Sequence, residues 1–266
     1  MGKGDQISPL LESSVRRRSP EFRPPILLGE SPSLRYAPPV TEDLAFLKPI
    51  EHAHPGLRAG WVGRVPGVSL TGDRDQSMRA LRPFHEAAIV AFGGTVASWW
   101  RAEQVHGTHV ARVPDAPRML APDGLPVVPG ADGLVTNQAD LVLAIYVADC
   151  GAIWLADRRT GAIGLLHSGK SGTAANILQQ ALALMAREFG TRPADVVTVL
   201  GPCIRPPQYE IDFAAQIARQ AAAAGIGEFH DCGENTAADI SRFYSYRLEK
   251  GQTGRMMALL TKDPLP

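Results

Sequence analysis

The amino-acid sequence predicts the α+β class, in the form of a single layered α/β/α sandwich-like domain with mixed sheets. Short apolar runs separated by turn residues crowd the middle of the 266-residue chain, as in a sheet built partly from hairpins. Helical periodicity appears both before and after these runs. Because hairpins and helices are interleaved without a regular β–α–β alternation, a doubly wound parallel sheet is not expected.

The first predicted helix covers 75–94, where Met78, Leu81 and Ile89 recur at helical spacing and a Gly-Gly pair stops the helix. Four apolar runs then predict strands over 133–137, 141–147, 152–156 and 162–166. The polar stretch 157–161 between the last two is expected to be a hairpin loop.

Three more elements follow the hairpin. Leu178, Leu182 and Met185 form one face of a helix that is expected to end at Gly190. The apolar run 196–200 predicts a buried strand. An alanine-rich helix is expected over 212–224, with Asp212 as its N-cap.

Residues 1–40 differ from the rest of the chain. They hold seven prolines, six serines and an arginine triplet, with no sustained periodicity. Such a composition buries too little apolar surface to offset chain entropy. We therefore expect a disordered leader over 1–40 and a folded domain over 41–266.

Composition excludes several classes of protein. The 27 basic and 27 acidic residues balance, so no strong field points to nucleic acid or to a membrane surface. The longest apolar run, 141–148, is far too short to cross a bilayer. Three cysteines in a chain of this length do not form a disulfide framework, and the expected compartment is a reducing cytoplasm.

Two histidines and one cysteine at the edges of apolar runs suggest a metal site. His106 lies in a Gln-Val-His-Gly string, Cys150 ends Ala-Asp-Cys, and His167 follows the fourth predicted strand. Two imidazoles and one thiolate would leave a fourth coordination position open, as at a catalytic zinc. Each residue alone has an ordinary structural interpretation. His109 and Cys203 are weaker candidates, as an alternative ligand and as a further ligand or reactive thiol.

Three charged residues are candidates for catalysis. Asp149, beside Cys150, could orient an imidazole or carry a proton, or could simply end a strand. Lys170 lies in a glycine-rich turn between a strand and a helix start, a geometry that favours anions. Arg247, in a stretch with two tyrosines, suits phosphate or carboxylate, although an edge strand with a solvated face is also possible.

Taken together, five strings resemble the laccase-domain or polyphenol-oxidase-like family, whose members are also described as purine nucleoside phosphorylases. The strings are QVHG at 104–107, ADC at 148–150, the histidine-glycine turn at 167–172, GPCI at 201–204, and YSYR with TGR at 244–247 and 253–255. The resemblance spans roughly 60–260. It implies a zinc-bearing pocket with His106, Cys150 and His167 as ligands.

The resemblance also implies the reaction. A zinc-dependent enzyme of this family would cleave purine nucleosides with phosphate and could deaminate adenosine. Copper-dependent phenol oxidation is an alternative, but only seven histidines are available and a four-copper centre needs more. A metal-bearing nucleoside-binding protein without turnover is a third possibility. The oligomeric state does not follow from the sequence.

One turn departs from the family pattern. Where the family usually has His-Ala-Gly-Trp-Arg-Gly, this chain reads His-Ser-Gly-Lys-Ser-Gly from His167 to Gly172. Lysine is a point charge and replaces the planar arginine only partly. The loop after Cys203 also departs, with Arg-Pro-Pro-Gln at 205–208. Phosphate binding and one wall of the pocket are therefore expected to differ, whereas the metal ligands are unaffected.

Overall fold

The structure is a computed structural model that describes residues 1, 44–70 and 72–264. All the elements below lie in one compact unit, Ala37–Pro266. Apart from Met1, the predicted leader over 1–40 lies outside the described residues. The start of the folded domain at 41 therefore stays a prediction.

The helices of the described part of the chain are α1 (Lys48–Ala53), α2 (Arg74–Ala91), α3 (Lys170–Ala174), α4 (Ile177–Phe189) and α5 (Phe213–Ala223). The strands in the same part are β1 (Leu57–Val62), β2 (Trp99–Arg101), β3 (Val110–Arg112), β4 (Met119–Leu120), β5 (Pro126–Val127), β6 (Gly133–Thr136), β7 (Val142–Val147), β8 (Gly151–Asp157), β9 (Ile163–Ser168), β10 (Val196–Leu200), β11 (Glu228–Asp231) and β12 (Met256–Lys262). Two short 3-10 helices cover Ala45–Leu47 and Pro193–Asp195.

The strands form two large mixed sheets. One sheet has the order β1-β12-β7-β2, with β2 parallel to β7 and the other pairs antiparallel. The other has the order β11-β10-β8-β9-β6-β3, with parallel pairs only at its two edges. Strands β4 and β5 make a small separate hairpin. The α+β class and the mixed sheets are confirmed.

The two large sheets pack face to face, because their strands are apolar on both faces. On β7, Leu143 and Ile145 join the core between the sheets, whereas Val142 and Ala144 pack with residues of α2 on the outer face. Helices α4 and α5 cover the outer face of the six-stranded sheet. The layers therefore run α/β/β/α, with a second sheet inside the predicted sandwich.

The predicted boundaries agree with local chemistry. The side chain of Asp212 accepts a hydrogen bond from the main chain of Ala215 (2.8 Å) and caps α5. Gly190 ends α4 in the left-handed region, at φ +67°. In the β8–β9 hairpin, Asp157 accepts from the main-chain N–H groups of Arg159 and Thr160. None of the helices in the described ranges combines the length and hydropathy that a membrane span requires.

A buried tryptophan connects the two sheets by a hydrogen bond and by ring packing. Trp154 of β8 is fully buried, and its indole N–H donates to the carbonyl of Leu259 on β12 (2.9 Å). The ring also packs against Trp61 of β1 and Phe46, with centroids 6.1 Å away in each case. One side chain therefore gives the interface both apolar area and a hydrogen bond.

Replacing this tryptophan should weaken the fold. We expect Trp154→Phe to lower the free energy of unfolding by about 2–4 kcal/mol, since it loses ring volume and leaves a buried carbonyl without its indole donor. Urea unfolding followed by circular dichroism measures the change. Trp99→Phe is the matched control, because the buried indole N–H of Trp99 has no partner in the described part of the chain. A loss in Trp154→Phe no larger than in the control would contradict this role.

Candidate metal centre and adjoining cavity

Neighbouring interior strands of the six-stranded sheet bring Cys150 and His167 together at one end of the strands. His167 lies near the end of β9, opposite Ala152 of β8. Cys150 immediately precedes β8, in the turn that follows β7. His106 comes from the long connection between β2 and β3. The fold therefore places side chains from distant parts of the sequence within reach of one another.

His106, Cys150 and His167 form a cluster that could hold a metal ion. Each offers one ligand atom, and the three atoms lie within 4.8 Å of one another. The two imidazole rings are 4.9 Å apart between centroids, nearly perpendicular. His167 is buried, Cys150 is half-buried and His106 is exposed, so the cluster opens to one side. Two nitrogens and one sulfur are a donor set that suits zinc or copper.

Gly169 makes room for the thiol. It caps the start of α3 in an extended conformation, so its backbone does not itself require glycine. A Cβ atom at this position would lie 2.5 Å from the sulfur of Cys150. The glycine of this turn therefore serves the geometry of the cluster.

A buried carboxylate, which the sequence analysis missed, organises two of the three ligands. Asp132 is completely buried, and its Oδ1 lies 2.8 Å from Nδ1 of His167. The same carboxylate accepts hydrogen bonds from the main-chain N–H groups of Val105, His106 and Gly107, at 3.2, 2.9 and 2.7 Å. With Nδ1 of His167 held in this way, Nε2 is left for a metal ion.

The sequence contained only a weak indication of the role of Asp132. It stands one residue before β6, and β6 pairs with β9, so its main-chain carbonyl accepts from the N–H of His167 (2.7 Å). Finding it from sequence requires the pairing of β6 with β9, which no local pattern specifies.

Left-handed backbone conformations shape both ligand turns. Gln104 and His106 have φ of +65° and +64°, and Asp149 has φ of +82°. Such values are uncommon outside glycine and cost free energy. The side chain of Gln104 offsets part of this cost: its amide accepts from the main-chain N–H of Tyr146 (2.8 Å) and donates to the carbonyl of the same residue.

The electrostatics of the cluster favour a thiolate. Burial raises the pKa of Cys150, but hydrogen bonds from His106 and His167 outweigh it and lower the pKa to about 6. Burial lowers the pKa of His167, but hydrogen bonds to Asp132 and Cys150 raise it to about 9. Both pKa shifts favour a thiolate beside an imidazolium in the metal-free protein. A metal ion would have to displace the imidazolium proton.

Asp149 lies beside the cluster, and its carboxylate connects the loops that carry Thr236 and Arg247. Its Oδ1 accepts from the hydroxyl of Thr236 and its Oδ2 from the main-chain N–H of Arg247, each at 2.7 Å. Of the two roles considered for Asp149, orienting an imidazole is performed by Asp132 instead. Its role as a proton carrier stays a prediction.

Lys170 and Arg247 both line the adjoining cavity. Lys170 is the first residue of α3, which has only five residues, so helix-end electrostatics contribute little there. The guanidinium of Arg247 forms an ion pair with Glu210 (2.7 Å) and lies 4.7 Å from the ring centroid of Tyr209. The structure brings both cations near the metal cluster, and their catalytic roles stay predictions.

The cavity measures about 650 Å³. Its described lining includes the three candidate ligands, Asp149, five cationic residues and three tyrosines. The cationic residues are Arg74, Lys170, Arg247, Lys250 and Arg255, and the tyrosines are Tyr146, Tyr209 and Tyr246. Phe213 adds a further ring at its wall. Such a cavity offers an aromatic surface for a flat ring and positive charge for an anion.

The two weaker candidates from the sequence lie elsewhere. Cys203 is completely buried in the core between the six-stranded sheet and its helices, and burial raises its pKa. His109 is exposed and does not belong to the cluster of ligand atoms found in the described residues. The choice of His106 over His109 therefore agrees with the geometry.

Removing the charge of Asp132 should loosen the metal site. We expect Asp132→Asn to weaken zinc affinity about 10–100-fold, because the amide no longer fixes His167 and the 105–107 turn as a carboxylate does. Competition with a chromogenic chelator measures the affinity. Asp157→Asn is the matched control, since Asp157 is also fully buried and accepts main-chain hydrogen bonds, but lies in the β8–β9 hairpin. Equal affinity in Asp132→Asn and in the unaltered protein would exclude this positioning role.

The thiol of Cys150 should react in the metal-free protein at unusually low pH. Because its pKa is lowered to about 6, the thiolate is present above that pH and alkylation by iodoacetamide should have a midpoint near pH 6. Peptide mass spectrometry after pH-jump labelling reports each cysteine separately. Cys232, whose pKa burial raises to about 11, is the internal control. A midpoint for Cys150 near that of an ordinary thiol would contradict the hydrogen-bonded thiolate.

Comparison with known sequences agrees with the resemblance. The family model described as multi-copper polyphenol oxidoreductase laccase matches residues 69–216 and 208–263. A protein of Deinococcus radiodurans named purine nucleoside phosphorylase is 32% identical over 230 residues, which cover 76% of this chain and 86% of that protein. Purine nucleoside phosphorylase YlmD of Geobacillus stearothermophilus is 30% identical over 195 residues, covering 61% and 71%.

The fold is also found among solved structures. The crystal structure of protein NMB0706 of Neisseria meningitidis superposes with a TM-score of 0.66 at 22% sequence identity, covering 80% of this chain and 97% of that one. This likeness concerns the fold alone. The sequence matches show the family: the protein is a member of the multi-copper polyphenol oxidoreductase laccase family.

Proposed function

We propose that this protein is a zinc-dependent purine nucleoside phosphorylase that can also deaminate adenosine. One observation carries the proposal: a His-Cys-His cluster opens into a cavity whose described lining holds five cations and one carboxylate, Asp149. A metal donor set, positive charge and aromatic rings side by side suit a substrate made of a flat base, a sugar and phosphate. The names of the sequence relatives point to the same substrates.

In phosphorolysis, the bond between the base and C1′ of ribose breaks and a bond from phosphate oxygen to C1′ forms. The products are the free base and ribose 1-phosphate. Lys170 and Arg247 are proposed to hold phosphate beside C1′, which converts a two-substrate encounter into a positioned one. Asp149 is proposed to carry the proton that the departing base takes up.

The cluster suits a zinc ion, with His106, Cys150 and His167 as the residues that would hold it. Bound there, zinc supplies Lewis acidity and lowers the pKa of water toward ~7, which is the chemistry that hydrolytic deamination needs. The chain prepares the site by fixing Nδ1 of His167 on Asp132 and by keeping Cys150 as a thiolate. Aromatic rings such as Tyr209 and Tyr246 would hold the base.

Copper-dependent phenol oxidation is the second candidate function. Two imidazoles and one thiolate also form the donor set of single-copper electron-transfer sites, and copper binds such donors more tightly than zinc. The name of the matched family model points to the same metal. Zinc is preferred because the cluster offers ligands for one ion, whereas the cationic cavity has no evident use in oxidising a neutral phenol.

The proposal is tested with purified protein of known metal content. We expect inosine to yield hypoxanthine only when phosphate is present, with equimolar ribose 1-phosphate, and adenosine to yield inosine without phosphate. Liquid chromatography separates these products. Cys150→Ser should lose zinc and reduce both activities at least about 100-fold, because it removes the thiolate ligand.

Cys232→Ser is the matched control, since Cys232 does not belong to the cluster and should keep both metal and activity. Oxygen uptake with a phenol by the copper-loaded protein would favour the second candidate. A zinc-loaded protein that neither releases a base nor deaminates adenosine would overturn the proposal. Metal binding together with nucleoside binding would then indicate a binding protein without turnover.

A further inference from the structure

The cavity carries more positive charge than one phosphate ion requires. Besides Lys250, its cations fall into two groups of two. Lys170 and Arg247 form the first, since both act on the charge of Glu210 and Arg247 pairs with it directly. Arg74, from the start of α2, and Arg255, just before β12, form the second.

Neither member of the second group forms an ion pair with a carboxylate in the described part of the chain, although the charges of Cys150 and Asp149 act on Arg255. None of the salt bridges between described residues includes Arg74 or Arg255. Arg74 donates to the main-chain carbonyl of Glu103 (3.2 Å). Arg255 donates through one nitrogen to the carbonyls of Thr253 (3.3 Å) and Gly254 (2.8 Å).

These contacts leave most of the guanidinium donors free for a ligand. A guanidinium has five N–H donors in a planar fork, and the main-chain bonds use only a few of them. Arg255 is half-buried, and burial, followed by the positive charge of Arg74, lowers its pKa. Arg74 and Arg255 line the same cavity and repel each other, and an anion bound between them would relieve that repulsion.

We propose that Arg74 and Arg255 form an anion subsite distinct from Lys170 and Arg247, so that the cavity takes a nucleoside that carries its own phosphate group, in addition to inorganic phosphate. The inference rests on the proposed function, since it names the substrate class of the same site. Adenosine 5′-monophosphate is the simplest such ligand. Its phosphorolysis would break the C1′–N bond, form a C1′–O bond to phosphate, and give adenine and ribose 1,5-bisphosphate.

Direct binding tests this subsite without requiring turnover. Isothermal titration of the zinc-loaded protein compares adenosine with adenosine 5′-monophosphate at low ionic strength. We expect the monophosphate to bind about 10-fold or more tightly, since charge-assisted hydrogen bonds from arginine are among the strong ones. Arg74→Gln should remove most of this preference and change the adenosine affinity less than about 2-fold, because Arg74 is exposed and its loss leaves the rest of the cavity intact.

Two further variants separate the subsites. Lys170→Gln should keep the preference for the monophosphate, while raising the KM for inorganic phosphate in turnover. Arg79→Gln is the matched control, since Arg79 lies on the same helix, is exposed and does not line the cavity. It should leave both affinities unchanged.

The possible negative results distinguish failure of the subsite from failure of the proposed function. Equal affinity for the two ligands in the unaltered protein would overturn the subsite and leave nucleoside recognition intact. Loss of the preference in Lys170→Gln, with its retention in Arg74→Gln, would also overturn it, because the substrate phosphate would then lie in the first group. Binding of neither ligand would contradict the proposed function itself.

Discussion

The candidate site depends on one buried carboxylate. Asp132 receives three main-chain N–H groups from the turn that carries His106 and holds Nδ1 of His167. Burial alone would raise the pKa of Asp132, but its hydrogen bonds, that of His167 foremost, hold it below the usual range. An ionised, fully buried carboxylate tolerates few alternative arrangements, because each unsatisfied oxygen would cost free energy. It therefore fixes two ligands relative to each other before any metal ion binds.

The sheet order explains how the remaining ligand joins them. Strands β6, β9 and β8 are neighbours, so Asp132, His167 and Cys150 meet at one end of these strands although they are far apart in sequence. The second sheet on one face and the helices on the other bury these strands on both sides. Against that scaffold, the left-handed turns at His106 and Asp149 can be maintained, since strain of this kind persists only where the surrounding structure determines the conformation.

Many of the helices and strands could be predicted from the sequence, and those that were not predicted were missed for physical reasons. The helices around Met78 and Leu182, the β8–β9 hairpin and the cap at Asp212 follow from local periodicity and turn chemistry, and all were predicted. Strand β12 lies at the centre of a sheet but was not predicted, because its apolar run follows a segment rich in tyrosine, glycine and arginine.

For the site, the ligand residue types sufficed to choose His106, Cys150 and His167, and the structure brings them together. Asp132 was missed because its partners come from a turn 25 residues earlier and a strand 35 residues later. The stacking of the two sheets could not be predicted for a similar reason: a strand buried on both faces has the same pattern under a helix as under another sheet. The family resemblance suggested the reaction, whereas the contacts between segments distant in sequence could be identified only from the structure.

The proposed chemistry requires a metal ion held by one sulfur and two imidazole nitrogens beside the cationic cavity. X-ray absorption at the metal edge of the protein as purified measures that coordination most directly. We expect one sulfur and two imidazole nitrogens in the shell of a single ion, with a further light atom in the open position. A shell of oxygen and nitrogen without sulfur, or protein that contains no transition metal under any loading condition, would contradict it.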